Sequence, residues 1–209
     1  MLFMQPENRS GDQKRSFIED ARRGQIVAAT IATIAEIGYA KSSFVQIAQR
    51  AGISPGLITY HFAKREALMK QVMLTVHDSM DRALSAHTEN ADGYVSALRS
   101  LIEGFVVYCA EHPAELIAIS QIAAAARDAE SARTWADEQN ARTLTELEDM
   151  FREGQKAGEL REFAPRVMAV SVMAAMEAAP AELMTRPDTD VSAYASELAD
   201  LFELAVRRA

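Results

Sequence analysis

From about Phe17 onward, apolar residues recur at steps of three and four, the period of a helix with one inward stripe. Val27, Ile31 and Ile34 form the first such stripe, and Gly38 stands where that helix would stop. This predicts a helix over 17–37, preceded by residues 1–16, which are polar and read as a mobile arm. Three short elements follow, ending near Phe62. A long amphipathic helix then starts around Lys64, carrying Met69, Met73, Val76, Met80 and Leu84. Glu89 to Gly93 reads as a loop. Beyond it the pattern predicts helices at about 93–111, 113–127, 130–157, 165–185 and 189–207, separated by His112-Pro113, Asp128-Ala129, Gly158 and Arg186-Pro187-Asp188. Pro180 falls inside the fourth of these, where its missing amide hydrogen and its ring predict a kink or a break. No strand-like alternation of useful length and no internal repeat interrupts the pattern, so the fold class is all-α.

Composition agrees: the 209 residues include only 9 Gly and 6 Pro, and 49% are hydrophobic, as in a globular helical chain. No run approaches the roughly 18 apolar residues of a membrane span, and no signal-peptide core is present. The single cysteine, Cys109, excludes an intramolecular disulfide framework and suits a reducing cytoplasm. Within Phe105-Val106-Val107-Tyr108-Cys109 it reads as a small buried hydrophobe. The net charge of −8 is unevenly spread. Residues 1–76 carry 10 Lys and Arg against 6 Asp and Glu, net +4, while residues 77–209 carry 12 against 24, net −12. A basic module joined to an acidic body fits a phosphate-bearing partner, and chance variation on a solvated surface fits the same numbers.

The stretch from Ser42 to Phe62 carries the most specific signal. Ser43 followed by Gln46 is a capping box at a helix start. Gly52 permits a left-handed turn, Ser54 caps a second helix, and Pro55 occupies that helix's first position, where an absent amide hydrogen costs nothing. Small Ala48 lets two helices approach, Gly52 turns the chain four residues later, and Ile58 packs the second helix six residues after that. This spacing fits a helix-turn-helix, whose second helix enters the major groove. An ordinary helical hairpin accounts for the caps and the glycine, but not for Thr59, Tyr60 and His61 standing exposed beside Lys64 and Arg65.

The block Ile47-Ala48, Ala51-Gly52-Ile53-Ser54-Pro55-Gly56-Leu57-Ile58-Thr59-Tyr60-His61-Phe62, then Arg65-Glu66-Ala67-Leu68, closely resembles the N-terminal domain of TetR-family regulators over about residues 20–70. The resemblance implies a helix-turn-helix domain over 17–66 and a helical ligand-binding and dimerisation domain over 67–209. It also implies roles. Ser42 and Ser43 would bind phosphate through hydroxyls and free amides, and Gly56 would let the recognition helix approach DNA closely. Thr59 and Tyr60 would face the groove, His61 would touch a phosphate, and Arg65 stands where the family usually has a phosphate-binding lysine. Ser54, Pro55, Leu57 and Lys64 complete the expected DNA-binding set. Thr59 replaces a common aromatic, and Leu57 occupies an often polar position, joining either the core or a base.

The segment Gly154-Gln155-Lys156-Ala157-Gly158-Glu159-Leu160-Arg161 looks like the turn before the family's dimerisation helices. The helix over 165–185 is apolar nearly all round, and the last helix carries Val191, Tyr194, Leu198 and Leu201 on one stripe. They read as core helices of one chain or, by resemblance, as the interface of a homodimer. Expected effector contacts are Phe105, Tyr108, Trp135, Met150, Phe151, Met173 and Met176, with Gln121, Asn140 and Glu177 as orienting polar groups. The expected function is a cytoplasmic, homodimeric repressor on double-stranded operator DNA, released when a small-molecule effector favours a dimer whose DNA heads are wrongly spaced, with no cofactor or metal. Two alternatives stay open: a helical interaction module without DNA binding, and an enzyme. The four histidines, 61, 77, 87 and 112, are isolated, and no glycine-rich phosphate loop or nucleophile elbow is present.

Overall fold

The computed structural model describes the backbone of residues 9–125 and 130–208, and the side chains of 18–125 and 138–208. These residues form α1 (Arg9–Ile37), a 3-10 turn (Tyr39–Lys41), α2 (Phe44–Ala51), α3 (Pro55–His61), α4 (Arg65–Thr88), α5 (Tyr94–Glu111), α6 (Pro113–Ala125), α7 (Glu130–Lys156), α8 (Pro165–Thr185) and α9 (Val191–Val206). Among the described residues the only extended pairing is an isolated antiparallel bridge between Leu160 and Arg207. The periodicity located these helices to within a few residues. It missed the first turns of α1, which begins at Arg9 inside the expected arm. Residues 9–16 carry no apolar stripe, and extending an existing helix costs far less than nucleating one.

Two compact units divide the chain, Met1–Met73 and Leu74–Ala209. The division falls inside α4, and the fully buried Leu68 and Val72 lie in the first unit. In that unit α1 buries Ile26, Val27 and Ile34, α2 buries Ile47 and Ala48, and α3 buries Ile58. Thr30 and Thr33 are buried too, each hydroxyl donating to a carbonyl one turn back, on Ile26 and Ala29, at 2.7 Å.

The second unit has one core of Leu98, Ile102, Phe151, Val172 and their neighbours, and smaller ones around Val106 and around Tyr108 and Cys109. At one edge the Arg99 guanidinium of α5 is ringed by the carboxylates of Glu103, Asp200 and Glu203, which ties α5 to α9 and holds Arg99 well above the ordinary arginine range. Glu148, nearly buried on α7, is held below the usual carboxylate range by Arg166 of α8 and Arg152. After α7 the chain turns tightly: the Glu159 and Leu160 amides both donate to the Gly154 carbonyl at 3.1 Å, and Gly158 takes a φ of +77°. A Cβ on Gly154 would lie 2.5 Å from Leu160 Cδ1 and 3.0 Å from Tyr94 Cγ, so the turn has no room for one.

Pro180 does not break its helix, because α8 runs unbroken from Pro165 to Thr185. The proline removes one amide donor, and Ala179 beside it is fully buried. Unlike the sequence expectation, α8 is long and apolar enough to cross a membrane by length and composition alone. Yet Ala169, Val172 and Ala179 on one side of it are buried within the unit.

Candidate nucleic-acid interface

The α2–α3 unit is assembled from local interactions. Ser43 Oγ accepts the Gln46 N–H at 3.3 Å and starts α2, while the Ser43 N–H donates to the Lys41 carbonyl at 2.9 Å instead of to the Gln46 side chain. The capping box is therefore closed from the serine side. At the other end Gly52 is left-handed, with φ +66° and ψ 34°. The Ile53 N–H reaches the Ala48 carbonyl at 3.0 Å and the Gly52 N–H reaches Gln49 at 3.3 Å, the paired bonds of a Schellman turn. Ser54 Oγ then accepts the Leu57 N–H at 3.3 Å, and Pro55 opens α3.

One side of α3 faces inward and one faces out. Ile58 and Phe62 are buried, whereas Tyr60 is 72% exposed. Ser54, Pro55, Gly56, Thr59 and Lys64 are exposed as well, with Leu57 and His61 half-buried. The His61 ring sits edge-on to Tyr60 at 5.0 Å. Thr59 turns its hydroxyl back onto the Pro55 carbonyl at 3.2 Å, which leaves the phenol of Tyr60 as the main outward polar group of the helix. Gly56 is the informative position. A Cβ there would meet nothing nearer than Ser54 Oγ at 3.9 Å, and its φ is not positive. Nothing inside this unit requires glycine.

Two expected phosphate ligands are placed otherwise. Ser42 is fully buried, its hydroxyl donating to the Tyr39 carbonyl at 2.7 Å. Arg65 donates to the Ser42 carbonyl at 2.5 Å, the Tyr39 carbonyl at 2.6 Å and Ser42 Oγ at 3.1 Å, and lies 4.4 Å over the Tyr39 ring. The 3-10 turn brings the Tyr39 and Ser42 carbonyls together at the entry to α2, and a planar guanidinium fork reaches both at once. Sequence reading also missed Arg23 of α1, whose guanidinium reaches the end of α3, and Lys41, exposed just before α2. Nothing local to Arg23 marks it out, since its partners lie 38 and 48 residues away.

Residues 26–72 match the family described as bacterial regulatory proteins, tetR family, which spans α2, the Gly52 turn and α3. Over these residues the chain is similar to that family. The HTH-type transcriptional regulator BetI 2 of Chromohalobacter salexigens is 32% identical over 89 residues, 42% of this chain and 43% of that protein. The chain thus aligns with less than half the length of the curated relatives it matches. Solved structures resemble it more widely. A bacterial regulatory protein of the tetR family from Rhodococcus RHA1 covers 90% of this chain and 97% of its own, with a TM-score of 0.74 at 19% identity. The SmeT–triclosan complex covers 90% and 92%, with a TM-score of 0.72 at 19% identity. At such identity these two show a shared fold alone.

In the second unit the expected effector contacts fall into separate groups. Phe105 is half-buried beside the small cores, and Tyr108 is buried, its hydroxyl donating to Glu115 Oε2 at 2.5 Å while its ring stacks on His112 at 4.3 Å. Burial and the Glu115 carboxylate both push the Tyr108 phenol well above its ordinary range, and burial pushes the Cys109 thiol up to about 12. Phe151 lies fully inside the largest core, with Met150, Met173 and Met176 half-buried against it. Gln121 is half-buried on α6. Asn140 and Glu177 are exposed and orient nothing inside the unit: the buried positions 169, 172 and 179 fix the inward side of α8, and Glu177 is off it. Glu115 and His112, missed in the sequence, are the polar groups that do reach an aromatic wall. Trp135 lies outside the described side chains. Among the described residues no group of three His, Cys, Asp or Glu is arranged to hold a metal.

Proposed function

We propose that the chain is a homodimeric transcriptional repressor, acting in the cytoplasm, that grips double-stranded operator DNA with α3 and is released by a small-molecule effector bound in its second unit. The single observation that carries the DNA-binding reading is the outward side of α3. Tyr60 stands 72% exposed one turn from Gly56, a glycine with open space around it and no conformational need to be glycine. A bare backbone flanked by Tyr60, Ser54 and Lys64 suits close approach to a phosphate-lined groove. Ser43, Pro55, Leu57, Thr59 and His61 complete the surface; Ser42 and Arg65 support it from within.

Dimerisation is assigned to α8 and α9. Their outward sides carry Val167, Val170, Met184, Leu201 and Leu204, each about half exposed or more, an apolar area that a second copy would cover. This also accounts for the hydropathy of α8 without a membrane. Effector and operator would oppose each other through a coupling free energy, and the triclosan complex of a protein sharing the fold supports a small apolar molecule as the kind of effector.

The test is to select duplexes from a random pool with the full chain and to compare wild type with Tyr60→Ala. Wild type should enrich a two-fold-symmetric site, and the variant should bind that site about tenfold or more weakly at an unchanged thermal transition. A wild-type protein indifferent to duplex DNA at low salt would refute the reading and favour the interaction module.

A further inference from the structure

Arg23 stands on α1, and one of its terminal nitrogens donates to the backbone carbonyl of His61 at 2.8 Å. The other donates to Gln71 Oε1 of α4 at 3.2 Å, and its Cζ lies 4.4 Å from the centroid of the Phe62 ring. One guanidinium therefore joins α1, the last residue of α3 and α4. Among the described residues no backbone amide donates to the His61 carbonyl at the end of its helix, and Arg23 supplies that bond. A cation there also complements the negative end of the helix.

A helix of 7 residues has little stability of its own. Its aim must come from anchors: the Ser54 cap at its start, buried Ile58 in its middle, and Arg23 at its end. Tyr60 precedes the anchored carbonyl by one residue, and its ring rests against His61. Releasing that carbonyl frees the last turn, which carries the outward side chains. We propose that Arg23 is a positioning residue for sequence discrimination, which makes no DNA contact but fixes the exit of α3 and hence the aim of Thr59 and Tyr60. This rests on α3 being the recognition helix.

The role separates cleanly from that of a phosphate ligand. A residue that neutralises a phosphate contributes about 0.9 to the slope of log affinity against log salt, on any sequence. A residue that only aims the helix contributes to the preference for the right sequence and nothing to that slope. The experiment uses the full chain, the duplex enriched by the wild type and a scrambled duplex, across a NaCl series, with Arg23→Ala and Arg23→Lys. Both variants should narrow the enriched-to-scrambled affinity ratio by about tenfold or more, because a lysine keeps the charge but cannot lie on Phe62 and serve two acceptors. The salt slope on the scrambled duplex should stay at the wild-type value. If Arg23→Ala fails to give a cooperative thermal transition, Arg23→Lys alone carries the comparison. A slope reduced by about 0.9 would make Arg23 a phosphate ligand and overturn the proposal. So would an unchanged ratio, or full discrimination in Arg23→Lys. Failure of the wild type to enrich any duplex would refute the recognition-helix reading first, and the role of Arg23 with it.

Discussion

Gly56→Ala tests the interface with two effects of opposite sign. Gly56 is the second residue of α3, its φ lies outside the positive region, and the added Cβ has only Ser54 Oγ within 4 Å, at 3.9 Å. The free protein therefore loses no contact and gains what alanine gains over glycine in a helix. That gain is about 0.5–1 kcal/mol, nearer the lower figure at a helix end. In thermal denaturation this raises Tm by roughly 1–4 °C for a chain of this size. On DNA the same methyl has no space if the backbone there meets the duplex, and inserting a methyl into a filled contact costs about 1–3 kcal/mol. Affinity for the enriched duplex should fall about tenfold to a hundredfold. Urea denaturation and fluorescence anisotropy on one preparation read both effects. A destabilised variant would mean that the space around Gly56 is not open. A stabilised variant with undiminished affinity would refute the assignment of this backbone to the DNA contact.

Two predictions concern the second unit. The Cys109 thiol is buried and its pKa is raised from 9.0 to about 12, so below about pH 9 native and unfolded chains both hold the proton. Above it the unfolded chain ionises first, and stability should fall with pH by up to about 1.4 kcal/mol per unit. Urea denaturation between about pH 8 and pH 10 checks this, with Cys109→Ala as the reference lacking that slope; parallel curves would show the thiol to be solvated. Gly154→Ala should cost about 1–3 kcal/mol, because the new Cβ falls on Leu160 and Tyr94, and an unchanged urea midpoint would mean that the turn yields freely.

Much of the fold was legible in the sequence because helices and their ends are governed by short-range rules. The periodic stripes placed α2 through α9 closely. Ser43, Gly52, Ser54 and Pro55 act on groups within about one turn, so their capping and turning roles follow from neighbours in the chain. The first turns of α1 escaped because they have no apolar stripe to read.

The outward side of α3 was equally legible, since Ile58 and Phe62 mark its inward side and leave Tyr60 facing out. What each polar side chain then binds was decided by tertiary structure. Ser42 and Arg65 looked like phosphate ligands until the 3-10 turn set backbone carbonyls within reach, 23 and 26 residues from Arg65. Arg23 carried no local mark, and Glu115 rather than Glu177 met an aromatic ring because packing fixed the inward side of each helix. A long side-chain donor goes to an acceptor that the folded chain brings within reach, and for Arg23 and Arg65 that acceptor is distant in sequence. The sequence by itself therefore determined the elements, their caps and the outward side of α3. Only the packing of α1, α3 and α4 decided which arginines hold that helix in place.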